Sequence, residues 1–194
     1  MTLETNNLKN IFENIDNGCV LAFYNKKWYL QLIPFFTREV KKELTPQHCG
    51  IAYEVVRYGN ICKFNLSEQN FHGGKYREIQ IYKHEKLYYI FDDYFLKQSK
   101  IKMFQVKMTD KQIELGIADA KKQLGKKYGY LQLFFGWEFL EKILPKSFFE
   151  WLNKKELSRV CSTHIAKNLK YAGFSVPNSD FLTPLEITKL KIYV

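Results

Sequence analysis

Cys161 is the residue whose position best suits covalent chemistry. It lies in the segment Leu157–Ala166, where the sequence pattern predicts the beginning of a helix. The unpaired N–H groups and the dipole at a helix N-terminus favour an anion, so they lower the pKa of a thiol placed there. A thiolate is the nucleophile that cysteine catalysis needs. The alternative interpretation is a buried cysteine that packs as a small apolar side chain.

A base for that thiol is available in His48, the first residue of a predicted strand that continues through Cys49–Glu54. The end of a strand is a rigid place for a base that must stay within about 3 Å of its nucleophile. A catalytic histidine usually needs a third group that fixes its tautomer. The paired strand offers Asn65, Ser67 and Glu68 for this role, and we favour Glu68. The ordinary alternatives are a surface histidine and a solvated glutamate.

Two other arrangements of histidine and cysteine compete with this pair. His164 follows Cys161 by three residues, about one helical turn, and so competes as the base, although the helix carries it to the side. A zinc site can also be drawn from His48, Cys49, Cys62 and His72. The first two members of that set are neighbours on one strand and point to opposite faces, which disfavours a shared ion. We expect neither a metal nor a cofactor.

The apolar spacing places these candidates on a sheet that is followed by helices. Six strands are predicted: Cys19–Tyr24, His48–Val56, Ile61–Leu66, Arg77–Tyr82, Leu87–Phe91 and Lys100–Val106. Helices are predicted over residues 1–16, from Thr109 to about Leu124, over Val160–Tyr171 and after Thr183-Pro184. A sheet first and helices after it is typical of an α+β protein, and 194 residues suit a single domain.

Five short segments stand in an order known from one protein family. They are Asn17–Phe23, His48–Tyr53, Gly125–Tyr130, Cys161–Ala166 with Ala172-Gly173 after it, and Asp180–Glu186. They resemble motifs of the circularly permuted papain-like hydrolases. These form the YiiX/YaeF-type branch of the NlpC-like superfamily and are related to lecithin:retinol acyltransferase-like proteins. Cys19 stands where that family usually has Asp. The histidine precedes the cysteine, the reverse of the usual papain order, which implies the permutation.

The resemblance implies a permuted papain-like α+β fold, with an antiparallel sheet packed against helices. The apolar spacing predicts aromatic-rich helices over Leu131–Leu144 and Ser147–Leu152, and we interpret about 131–155 as an insertion between Tyr128 and Cys161. The resemblance also implies that Cys161 is the nucleophile, His48 the general base and Glu68 the orienting residue. Tyr128 would line the site and help to bind the oxyanion. The implied reaction is hydrolysis of an amide bond in a peptide or peptidoglycan-like substrate through an acyl-enzyme. A lipid acyl group is the second substrate class, because an aromatic segment suits an acyl chain.

Composition limits the partners of the protein. The chain has 30 Lys and Arg residues against 20 Asp and Glu, a net charge of +10, and 26 of the 30 are Lys. Proteins that read bases rely on arginine for bidentate contacts, so this balance disfavours specific nucleic-acid binding. A Lys-rich face still suits contact with an anionic polymer or a membrane surface. The four cysteines include no CxxC pair, and we expect free thiols.

The sequence shows neither a signal-peptide pattern nor an apolar run of the roughly 18–20 residues that a membrane helix needs. We therefore expect a cytoplasmic protein, and a virion-associated protein or one released by lysis would carry the same features. A protein of a different class also fits these observations. It would be a structural or binding protein, for example a phage particle component, that keeps the fold without the chemistry.

Overall fold

The structure is a computed structural model, and it describes residues 5–24, 45–70, 72–127, 145, 147, 159–176 and 182–194. Helix α1 (Thr5–Asn14) precedes strands β1 (Val20–Tyr24), β2 (His48–Tyr58), β3 (Ile61–Asn70), β4 (Gly73–His84) and β5 (Leu87–Ile90). The one-turn helix α2 (Asp93–Leu96) and strand β6 (Lys100–Phe104) follow. Helices α3 (Asp110–Lys122), α4 (Cys161–Tyr171) and α5 (Pro184–Ile187) come after the last of these strands. The protein is thus a mixed α/β protein.

The six strands form one antiparallel sheet in the order β5-β4-β3-β2-β1-β6. Strands β2 to β5 follow one another as hairpins, and the β2–β3 turn uses Gly59 at a φ of 54°. Gly50 of β2 is opposite Glu68 of β3. Because alternate residues of a strand share a face, His48 lies on the same face of the sheet as Gly50 and Glu68.

Both faces of the sheet are covered by apolar packing. Helix α1 contributes Leu8, Ile11 and Phe12 to one cluster, together with side chains of the strands that include Phe23 and Phe64. Helix α4 contributes Cys161, Ile165, Ala166 and Leu169 to a second cluster, with Cys49, Ile51 and Tyr53 of β2. Odd and even residues of β2 therefore serve different cores. No helix of the described ranges is long and apolar enough to cross a membrane.

The predicted strands and the helices that begin at residues 110, 161 and 184 are confirmed, with shifts at their ends. Strand β3 was predicted to end at Leu66 but continues to Asn70, because its polar residues Ser67–Gln69 are buried with hydrogen-bond partners. Helix α2 was not predicted, since one turn is too short for an apolar period. Apart from residues 145 and 147, the insertion predicted at about 131–155 lies outside the described residues.

Gly74 lets the chain after α3 pack closely on β4, and its replacement should destabilise the protein. The Gly74 N–H donates to the Lys126 carbonyl at 2.9 Å, and a Cβ at Gly74 would stand 2.0 Å from the Gln123 carbonyl oxygen. We expect Gly74→Ala to lower the free energy of unfolding by about 2–3 kcal/mol in urea denaturation, as overpacking of a close contact does. Gly59→Ala is the control, because no atom lies within 4 Å of its Cβ. Its positive φ should cost only about 1 kcal/mol. An equal loss in both variants would contradict this packing.

Candidate active site

A buried ion pair joins the first residue of β2 to β3. The His48 Nε2 atom lies 2.9 Å from Glu68 Oε2, and the Glu68 side chain is only 3% exposed. An ionised carboxylate can only accept, so Nε2 carries the hydrogen of this bond. The carboxylate therefore fixes the tautomer of the ring and leaves Nδ1 for another partner.

Aromatic rings hold the His48 imidazole between β1 and α2. The Phe23 ring stacks on it with centroids 5.7 Å apart, and the Tyr94 ring meets it edge-on at the same distance. Phe23 is opposite His48 in the β1–β2 register. Such contacts restrict ring rotation, so His48 is held by packing as well as by Glu68.

Cys161 is the first residue of α4, and its thiol packs against the beginning of β2. Interactions with Cys49 and with the His48 side chain lower the pKa of this thiol, so both residues lie beside its sulfur. Because Nε2 of His48 is engaged by Glu68, Nδ1 is the ring nitrogen left for the sulfur. The structure thus brings Cys161, His48 and Glu68 together in one line of contacts. His48 and Cys49 leave the strand on opposite faces, yet both reach this sulfur.

The charges in this line stabilise one another. Burial disfavours a charged His48, but hydrogen bonds with Cys161 and Glu68 raise the pKa of the imidazole to about 10. Burial likewise opposes ionisation of Glu68, yet the hydrogen bond and charge of His48, with Arg77 behind them, lower the pKa of that carboxyl to about 2. At neutral pH His48 is therefore an imidazolium and Glu68 a carboxylate.

The four cysteines are free and buried, and they differ in acidity. Burial raises the pKa of Cys19 to about 12, and it also raises the pKa of Cys49 and Cys62. The pKa of Cys161 is instead held well below its usual value, first by the hydrogen bond from Cys49 and then, against its burial, by His48. Local partners, and not exposure, therefore set Cys161 apart from the other thiols.

A polar clamp fixes the beginning of α4 on α3. Arg159, two residues before Cys161, donates to both oxygens of Asp119 at 2.7 and 3.1 Å. Asn168 donates to the Gly116 carbonyl at 2.8 Å and accepts from the Tyr53 hydroxyl at 2.6 Å. These bonds tie α4 to α3 and β2, so the first turn of α4 has a fixed position over the sheet.

Glu68 has a second cationic partner that the sequence did not predict. Arg77 on β4 donates from Nε to Glu68 Oε1 at 2.9 Å, and its Nη1 pairs with Asp92. Asp92 also caps α2 by accepting from the Phe95 N–H. An arginine two strands away from a histidine gives no local sequence signal. The only clue was an Arg in a predicted strand of a chain that has four.

The other residues predicted for the site that the structure describes, Asn65 and Ser67, have hydrogen-bond partners other than His48. Asn65 donates to Glu54, and Ser67 is 2.8 Å from the Nε2 atom of His164 on the α4 side of the sheet. Of the three candidates for the third group, the structure therefore brings Glu68 to His48. Tyr128 lies outside the described residues. The chain just before it is held by Gln69, which donates to the carbonyls of residues 126 and 127 at 2.9 and 3.0 Å.

The competing arrangements are not assembled in the described residues. His164 is fully buried and turned to Ser67, with its Nδ1 atom lacking a described partner. Cys62 belongs to the cluster under α1, whereas Cys49 belongs to the cluster under α4. No group of three or more His, Cys, Asp or Glu residues in the described ranges could hold a metal ion.

Removing the Cys49 thiol should make Cys161 less acidic. The hydrogen bond with the Cys49 side chain is the largest influence that lowers the pKa of Cys161, so this pKa should rise in Cys49→Ala. The rate of Cys161 alkylation by iodoacetamide, followed peptide by peptide between pH 5 and 9, should fall at the acidic end and recover at the alkaline end. Cys62→Ala removes a buried thiol elsewhere and should leave the profile unchanged. Superimposable profiles for Cys49→Ala and the unmodified protein would refute this contact.

His164 should make the protein less stable in acid. Burial above all, and then the charge of Arg159, lower its pKa from 6.5 to about 4. Between these values the unfolded chain binds a proton that the folded protein does not, so stability falls as pH decreases from about 6.5 to 4.

Urea denaturation at pH 7.5 and 4.5 measures this contribution. The loss of unfolding free energy on acidification should be about 2–3 kcal/mol smaller in His164→Gln than in the unmodified protein. His84→Gln, at an exposed position, is the control and should show the full loss. The same acid loss in both variants would show that His164 does not resist protonation.

No protein-family model matches the chain, and neither a curated protein nor a solved structure is significantly similar to it. The likeness to the permuted papain-like hydrolases therefore rests on the short motifs alone. What this site can do follows from the contacts of its own residues, of which the Cys161–His48–Glu68 line is the most suited to chemistry.

Proposed function

We propose that the protein is a cysteine-dependent hydrolase of a permuted papain-like fold, which cleaves an amide bond in a peptide or peptidoglycan-like substrate. The observation that carries the proposal is the 2.9 Å bond between His48 Nε2 and Glu68 Oε2, beside a Cys161 thiol whose pKa is lowered by Cys49 and His48. It unites a nucleophile, a base and a group that orients the base, which is the arrangement of nucleophilic catalysis.

Acylation begins from the ion pair of the Cys161 thiolate and the His48 imidazolium. The thiolate attacks the carbonyl carbon, a C–S bond forms, and the carbonyl electrons move to oxygen. In this mechanism the Cys161 N–H, at the first position of α4, donates to that oxyanion. The oxyanion then collapses, the C–N bond breaks, and the departing amine takes the proton from His48. The product is a thioester on Cys161, with His48 neutral.

Deacylation uses the same groups in reverse. Neutral His48 takes a proton from a water molecule as its oxygen attacks the thioester carbonyl. The C–S bond breaks, the carboxylic acid leaves, and the thiolate and imidazolium are restored. Glu68 stays ionised throughout and holds Nε2–H, so that Nδ1 is the atom that exchanges the proton. Tyr128 keeps its proposed part as a further hydroxyl donor to the oxyanion.

The difference between Cys161 and Cys19 supports a hydrolase over a non-catalytic protein that keeps the fold. Both thiols are buried, with 4% and 1% exposure. Burial above all raises the pKa of Cys19, which is the behaviour of an inert core cysteine. Packing in a core does not require a thiol of low pKa. The low pKa of Cys161 favours a thiolate beside the His48 imidazolium, as in a catalytic pair.

Cysteine-by-cysteine alkylation tests the proposal. Iodoacetamide should modify Cys161 first and rapidly near pH 6, with Cys19 as the slow internal reference. In His48→Ala the Cys161 rate at that pH should fall by at least about tenfold, because one pKa unit changes the thiolate fraction tenfold. In addition, 4-nitrophenyl acetate should acetylate Cys161, and His48→Ala should slow the loss of the acetyl group.

The controls separate loss of chemistry from loss of fold. His84→Ala removes an exposed histidine from the end of β4 and should leave both reactions unchanged. Cys161→Ala should abolish acetylation and keep the circular dichroism spectrum. A Cys161 that reacts no faster than Cys19, or that ignores the loss of His48, would overturn the proposal in favour of a binding protein.

A further inference from the structure

The contacts of Glu68 extend beyond His48 to a second pair of charges. Glu68 uses Oε2 for His48 and Oε1 for Arg77, both at 2.9 Å. Arg77 in turn reaches Asp92, which caps α2. From Cys161 to Asp92 the charges alternate in sign, and every neighbour in the line is a direct partner. The arginine is three-quarters buried, with 24% of its side chain exposed, and its guanidinium lies over the Tyr94 ring at 5.7 Å.

Arg77 resolves a difficulty in the proton transfer to the leaving group. When the imidazolium gives up its proton, the Glu68 carboxylate loses the cation that compensates its burial. An uncompensated carboxylate in such a place would hold the proton on His48 and oppose the transfer. With Arg77 on its other oxygen, Glu68 keeps one cationic partner in every state of the reaction.

We propose that Arg77, anchored by Asp92, is a positioning residue for the base: it fixes the Glu68 carboxylate and shares its charge, so that His48 can release its proton. This rests on the proposed function, and it adds two residues from β4 and the α2 cap to the machinery. The side-chain partners that Arg77 has in the described residues are Glu68 and Asp92, so it acts on His48 and Cys161 through Glu68.

The groups that face His48 decide the direction of the expected effect. Among the described residues they are Glu68 from β3, Cys161 from α4, Tyr94 from α2 and the uncharged Phe23 ring from β1, with the buried His164, whose pKa burial keeps low, farther along α4. The Tyr94 hydroxyl is neutral at working pH because burial, with the charge of Glu68, raises its pKa well above the usual value. The His48 imidazolium thus faces two anions, the Cys161 thiolate and the Glu68 carboxylate. Arg77 partly neutralises the Glu68 carboxylate, which lowers the pKa of His48.

Titration of the His48 ring by NMR of protein labelled with ¹⁵N-histidine tests the inference. In Arg77→Met the undivided charge of Glu68 should hold the ring proton more strongly, and the midpoint should rise by about one pH unit. In Glu68→Gln the midpoint should fall, because an anion is lost. Arg77→Lys, which restores the charge without the fork geometry, should lie between Arg77→Met and the unmodified protein.

Two further variants keep the test decisive. Arg57→Met removes an exposed arginine that donates to the carbonyls of Phe12 and Ile15, and it should leave the His48 midpoint unchanged. Asp92→Asn keeps an oxygen to cap α2 and frees Arg77 for Glu68 alone, so the midpoint should fall slightly. If Arg77→Met does not fold, the direction of the shift in Asp92→Asn decides.

The outcomes separate this inference from the proposed function. A midpoint that stays unchanged in Arg77→Met, or that falls as it does in Glu68→Gln, would overturn the role of Arg77 even if Cys161 is rapidly alkylated. The expected shifts in a protein whose Cys161 reacts no faster than Cys19 would instead support the positioning of His48 and overturn the hydrolase.

Discussion

The candidate site depends on one buried carboxylate. Glu68 is 2% exposed, and an ionised carboxylate in such a place is stable only with charged and hydrogen-bonded partners. His48 and Arg77 supply them from opposite sides, and each is aligned by the bond it makes. Because β3 is a central strand, its pairing with β2 and β4 presets the distance of Glu68 from both. The register of the sheet therefore brings His48 and Arg77, which are far apart in the sequence, within hydrogen-bond distance of Glu68.

The thiol depends on a different set of constraints, on the opposite face of the same sheet. Helix α4 packs on β2 through Cys161 and Ile165, and the Asp119–Arg159 pair stops the helix from sliding along the strand. The sulfur thus arrives at the end of β2, where the His48 side chain from the other face is within reach. A strand end is the place where groups from both faces of a sheet can meet, which explains why the cluster forms there and not in the middle of β2.

The sequence predicted most of the elements and the central contact of the site, for physical reasons that differ between the two. Alternation in β2 and the Thr109 and Thr183 caps are local signals, and these elements are confirmed. The Glu68–His48 contact followed from strand pairing, which a hairpin makes nearly local. Arg77 and Asp92 could not be found in this way, because their roles arise from a second strand and a one-turn helix. Opposite orientation of neighbouring strand residues counted against a zinc site that includes His48 and Cys49, but it did not reveal that Cys49 lowers the pKa of Cys161.

The use of arginine shows how the basic composition relates to the site. Of the described arginines, Arg57 joins β2 to carbonyls at the end of α1, Arg77 joins β4 to β3 and α2, and Arg159 joins the start of α4 to α3. Each connects separate elements through the planar fork of the guanidinium, which lysine cannot reproduce. The excess positive charge is consequently carried by lysines, whereas the three described arginines form hydrogen bonds between secondary-structure elements. Arg57 thus holds the strand that begins with His48, Arg77 the strand that carries Glu68, and Arg159 the helix that begins with Cys161. The described arginines thus fix the relative positions of elements around the site, whereas the net charge of +10 does not identify what the site binds.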